Sequence, residues 1–159
     1  MGETATMVQR RLRERLACAL PEYEWHEEYA VGDTPVDVAG VGGALVLVEL
    51  EWRRADPANN TVKLFRELAE TDLASSFEAV HVVQLFSRYY DLASGGVSTK
   101  RRNAAFVGER VAETVPAATF TAVTLGIDPP KRGGDLPEKW RESVEVAVDR
   151  VSREVTKER

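Results

Sequence analysis

The chain has 159 residues, with 26 Asp and Glu against 21 Lys and Arg for a net charge of -5, and 43% of its residues are hydrophobic. That is the size of one domain able to bury a core, and the longest apolar run, Val41 to Val48, is too short to cross a bilayer. The acid excess argues against a broad electrostatic grip on nucleic acid. A single cysteine, Cys18, and no apolar leader after Met1 give neither a disulfide framework nor a secretory route, so the expected compartment is cytoplasmic.

In chain order, Val8, Leu12, Leu16 and Ala19 recur at helical spacing and predict a helix from Thr6 to Leu20, closed by Pro21. Tyr23, Trp25, Glu27, Tyr29 and Val31 alternate with Glu24, His26 and Glu28, which predicts a strand with one wetter face. Two apolar runs, Pro35 to Ala39 and Ala44 to Trp52, flank Gly40-Val41-Gly42-Gly43 and read as an antiparallel hairpin. In the second run both faces begin apolar, so that strand is expected to be central.

Asp56-Pro57 supplies an N-cap and a first-turn proline for a second helix, with a stripe expected at Val62, Phe65, Leu68 and Ala69. Ala79 to Phe86 is a continuous apolar run that predicts a strand covered on both faces. A helix over about 103–114, a strand from Ala118 to Leu125 and a last helix with its stripe at Trp140, Val144, Ala147, Val148, Val151 and Val155 follow. The expected fold is α/β: one domain over residues 1–159 with a mixed sheet flanked by helices, a core over about 6–87, and a C-terminal α-β-α extension over about 100–157.

The chemistry concentrates in one stretch. Glu49 and Glu51 continue the strand face begun by Leu45 and Leu47, so burial is expected to give way to charge at the strand's end. Counting back across a two- or three-residue turn sets Asp37 opposite or diagonal to Glu49. Two carboxylates about 4 Å apart repel by roughly 4 kcal/mol at an effective dielectric of about 20, unless a proton or cation intervenes. Oxygen donors of this kind suit Mg²⁺ or Mn²⁺, whereas the two histidines, read as structural, and one cysteine give no zinc cluster. The plainer alternative pairs the acids with Arg53, Arg54 or Lys63.

Thr34-Pro35-Val36-Asp37 and Val48-Glu49-Leu50-Glu51, in an order α-β-β-β-α-β, resemble the PD-(D/E)XK nuclease superfamily over roughly Val8 to Phe86. The departure is Glu51, which stands where the motif has lysine, as in some restriction endonucleases of that superfamily. The resemblance implies a restriction endonuclease-like core and a Mg²⁺-dependent endonuclease hydrolysing phosphodiester bonds in DNA, of restriction or repair type. Asp37 and Glu49 would hold the metal. Glu51, or Lys63 on the polar first turns of the second helix beside Asn59 and Asn60, would orient water, with Asn59, Asn60 and Arg53 as weaker substrate contacts. The alternative is an inactive nuclease-like fold that binds nucleic acid or protein.

The remaining features carry less. Glu14 reads as a solvated partner of Arg10 or Arg11, Gln84 as a hydrogen-bonded sheet residue, and Tyr89 and Tyr90 as loop residues suited equally to packing or to stacking on bases. The short clusters Arg10-Arg11-Leu12-Arg13, Arg53-Arg54, Lys100-Arg101-Arg102 and Lys131-Arg132 each read alone as solvated surface charge. Cutting both strands of a duplex commonly takes two sites, so a homodimer or a larger nuclease complex is expected.

Overall fold

A computed structural model of the chain describes residues 2–157. Helix α1 (Glu3–Ala19) leads into strands β1 (Glu24–Val31), β2 (Thr34–Val41) and β3 (Leu45–Glu51). Then come α2 (Pro57–Glu70), β4 (Val80–Phe86), α3 (Thr99–Ala112), β5 (Ala118–Thr124) and α4 (Trp140–Thr156). The five strands form one sheet in sequence order, β1 to β3 antiparallel and β3 to β5 parallel. Two helical crossovers of the usual right-handed sense in one direction across a sheet put their helices on the same face. Accordingly α2 and α3 bury Leu64, Phe65, Leu68 and Ala112 against Leu45, Leu47, Val80 and Val82.

The opposite face carries α1 and α4. Val8, Leu12 and Leu16 from α1, and Val144, Val148, Val151 and Val155 from α4, pack on Val46, Val48, Leu50, Val83 and Leu85. With helices on both faces, β3 and β4 are buried along their whole length, as parallel strands in a three-layer arrangement must be. The C-terminal segment is therefore built into the core: β5 extends the sheet and α4 shares the core of α1.

Several elements differ in detail from the sequence expectation. α1 begins at Glu3, three residues before Thr6, and Ala19 is exposed. α3 begins at Thr99 because Ser98 caps it, its Oγ accepting from the Arg101 amide (3.4 Å). In α2, Asp56 accepts from the Asn59 amide (3.2 Å) with Pro57 in the first turn. That start sets the phase so that Thr61, Leu64, Phe65 and Leu68 face inward while Val62 and Ala69 are exposed.

β1 does not keep one face. Trp25 packs toward α1 and α4, whereas Tyr29 and Val31 pack toward α2, and between them Glu28 has φ +51°. β2 makes the same change across Asp37, with Val36 in one core and Val38 in the other. The two strands twist together at the point where Glu28 and Asp37 would face each other, and regular pairing omits that rung. Gly32, φ +58°, then turns β1 into β2 with the Glu67 carboxyl against it, leaving no room for a Cβ.

Candidate functional site

The twist at Asp37 has a consequence for its other neighbour. β2 and β3 pair from Val41–Leu45 to Val38–Val48 and stop there. The next rung is made by a side chain: the Leu50 amide donates to Asp37 Oδ2 at 2.7 Å. The strands part where Glu49 emerges beside Asp37, and the gap is a cleft of about 230 Å³ lined by Glu28, Thr34, Pro35, Asp37, Glu49, Arg54, Asn60 and Lys63.

Asp37 and Glu49 thus meet as the hairpin count predicts, but the expectation of a wet strand end is corrected. Asp37, Glu49 and Glu51 are only 4%, 6% and 0% exposed, because α2 and the segment after β3 fold over this end of the sheet. Burial is the largest cause raising the pKa of each carboxyl. Glu49 is pushed furthest, since Asp37 and Glu51 add like charge to its desolvation. Asp37 and Glu49 share a hydrogen bond that favours the charged form of Asp37 and the protonated form of Glu49.

Glu51 lies behind the cleft wall. Gln84 Nε2 donates to its Oε1 at 2.9 Å, Asn60 Nδ2 reaches both oxygens at 3.3 and 3.4 Å, and Arg54 Nε stands 4.0 Å away. The Thr61 hydroxyl donates to Gln84 Oε1 (2.9 Å), which fixes the amide so that its N–H faces the carboxylate. Gln84, the register partner of Glu49 on β4, therefore serves the site as the donor that holds Glu51.

Arg54 is placed by a clamp. The buried Tyr90 hydroxyl donates to Arg54 O (3.0 Å) and accepts from Arg54 N (2.8 Å). Ser87 Oγ donates to Trp52 O (2.6 Å). Burial, then the Glu51 charge, push the Tyr90 phenol up to about 12, so it stays a donor at neutral pH.

The remaining predicted residues divide. Lys63 lines the cleft one helical turn after Asn60. Asn59 and Arg53 do not line it: Asn59 is exposed in the first turn of α2, and Arg53 turns away to donate to Pro130 O (3.3 Å). Glu14 is exposed beside Arg13, and α1 instead reaches the site's edge through Gln9, whose Nε2 donates to Glu28 Oε1 (3.0 Å). Glu28 and the Tyr90 clamp were invisible in sequence. Arg54, three residues after Glu51, was legible as a cation for the acids, and it stands beside Glu51.

Among the described residues, no three His, Cys, Asp or Glu side chains are already arranged as a metal cage. The donor chemistry nonetheless fits a hard divalent cation: carboxyl oxygens of Asp37 and Glu49 share one opening, and burial and mutual repulsion raise the cost of charging both without a counter-charge. Comparison with family models, curated proteins and solved structures gives no match.

Proposed function

We propose that the cleft between β2 and β3 is the active site of a metal-dependent endonuclease acting on phosphodiester bonds in DNA. The observation that carries this reading is the pair Asp37 and Glu49, buried side by side where the strands part, in a wall that also presents Lys63 and Arg54. The resemblance to PD-(D/E)XK nucleases points the same way, since their acids come from the same two strands.

Asp37 and Glu49 would hold Mg²⁺ or Mn²⁺, which when bound supplies Lewis acidity toward a phosphate oxygen and a more acidic water. The other roles belong to the chain. Arg54, held over Glu51 by Tyr90, faces the charge that develops on the phosphate. Lys63, on a helix face rather than on β3, takes the place of the motif lysine in orienting water. Glu51, fixed by Gln84 and Asn60, holds Arg54 and Asn60 in position.

Purified protein incubated with supercoiled plasmid in Mg²⁺ or Mn²⁺ is expected to nick it, and EDTA, Asp37→Ala or Glu49→Ala to abolish cutting. Intact plasmid in every metal would remove this reading. One cleft serves one strand, so double-strand cutting calls for a second copy or a partner subunit. Light scattering of the complex is expected to show the mass of the DNA plus two chains, and the DNA plus one chain counts against the dimer. An inactive binding module is the second reading, favoured by the complete burial of Glu51 at the motif's lysine position. Metal binding without any cutting would select it.

A further inference from the structure

Two of the basic clusters that read separately as solvated charge, Arg53-Arg54 and Lys100-Arg101-Arg102, converge in the fold at the C-terminal ends of the parallel strands, around Tyr89. Lys131-Arg132 is tied to them through Pro130. Arg53 and Lys100 lie over the Tyr89 ring, 5.6 and 5.9 Å from the centroid, one from the loop after β3 and the other from the first turn of α3. Arg101 lies beside them, over Phe86 and bonded to Thr124 Oγ1 (2.7 Å). Arg53 also grips Pro130 O (3.3 Å), which Lys131 and Arg132 follow.

Tyr89 is 43% exposed and is held edge-on by the buried Tyr90, ring centroids 5.1 Å apart at 90°. This is a fixed aromatic platform, since Tyr90 is itself bolted to the Arg54 peptide. Acids outnumber bases in the chain, 26 to 21. Yet among the described residues none of Arg53, Lys100, Lys131 and Arg132 has a carboxylate within salt-bridge distance. Cations left unpaired against an acid surplus, around an exposed ring, match a ligand that carries regular negative charge and flat faces. Arg53 directly precedes Arg54, which lines the acid cleft, so one peptide link joins the ridge to the cleft wall.

We propose that this ridge binds single-stranded nucleic acid, with Arg53 and Lys100 moving off the Tyr89 ring onto neighbouring phosphates and a base stacking on the ring in their place, leading the strand toward the acid cleft. The proposal deepens the nuclease reading and rests on it for the strand's direction, but binding at the ridge stands or falls by itself.

Fluorescence anisotropy of a labelled single-stranded oligonucleotide of about 15 nucleotides, in EDTA so that nothing is cut, tests it. The Arg53→Ala/Lys100→Ala pair is expected to raise Kd at least about tenfold and to lower the slope of log K against log salt by about 1.4, for two phosphate contacts. Tyr89→Ala is expected to raise Kd about tenfold with the slope unchanged. All three side chains are exposed, so melting temperatures stay level and folding does not confuse the result. An unchanged Kd in these variants overturns the proposal, as does inorganic polyphosphate competing as well as the oligonucleotide, since it has the charge without the bases. Ridge-dependent binding with no metal-dependent cutting would sink the nuclease reading alone. Cutting that survives with Kd unmoved in the variants would sink this one alone.

Discussion

Glu51 occupies the place of a lysine, and its surroundings say whether a lysine is welcome there. Two amide donors, from Gln84 and Asn60, and the Arg54 guanidinium all face it, and it is fully buried. A lysine ammonium would meet donors and a like charge, so Glu51→Lys is expected to cost about 3–5 kcal/mol in urea unfolding, without a gain in cutting. A stable, faster variant would show that the position still accepts the motif lysine and would move the water-orienting role away from Lys63. Tyr90→Phe tests the clamp. It strips the Arg54 peptide of a donor and an acceptor, each worth about 1–3 kcal/mol if left unmade in a buried place. By loosening Arg54 it is also expected to slow cutting about 10- to 100-fold, the usual penalty for losing a residue that orients a site. Unfolding curves beside plasmid-nicking rates would separate the two effects.

Among the elements, the joint twist of β1 and β2 makes the cleft. Glu28 adopts a backbone region that a non-glycine residue pays about 1–3 kcal/mol to occupy. Glycine there is expected to be neutral to about 2 kcal/mol stabilising, because relief of the strain meets or exceeds its own entropy cost of about 0.5–1 kcal/mol. Valine, β-branched, is expected to lose about 2 kcal/mol, and equal melting curves for the two would remove the strain argument. This twist also marks where the sequence stops being legible. Strict alternation from Tyr23 to Val31 predicts one face for the whole strand, and nothing in the letters announces that residue 28 reverses it. The element order, the hairpin register that sets Asp37 against Glu49, and the central place of β3 were readable, since each follows from periodicity and turn length. The stripe of α2 was readable only in part: Phe65 and Leu68 are buried as expected, but Val62 is apolar by letter and exposed, because Pro57 fixes a phase in which Thr61 points inward to serve Gln84. Arg54 and Tyr90 meet across 36 residues, a separation that no local pattern encodes.

For the molecule as a whole, no helix among the described residues is long and apolar enough to cross a membrane, and the acid cluster couples global stability to pH. Asp37, Glu49 and Glu51 all have raised pKa values, so the folded chain holds their protons to higher pH than the unfolded chain does. Between the ordinary carboxyl range, near about 4, and the folded values, the native state binds more protons, and stability must fall as pH rises. Arg54 opposes this for all three acids, while Glu28 adds to it at Asp37. Glu49→Gln removes the carboxyl that resists charging most. The variant is expected to melt above the wild type at pH 8, by about 2–4 °C for each kcal/mol relieved, and to lose that advantage near pH 4, where the wild-type carboxyl is largely protonated whether folded or not. A divalent cation held by Asp37 and Glu49 offsets the same repulsion, so Mg²⁺ is expected to raise the wild-type melting temperature at pH 8 in proportion to RT ln(1 + [Mg²⁺]/Kd) and to leave Glu49→Gln almost unmoved. A wild-type curve flat from pH 4 to 8 would mean that the acids carry no stored repulsion, and the electrostatic case for a cation in the cleft would go with it.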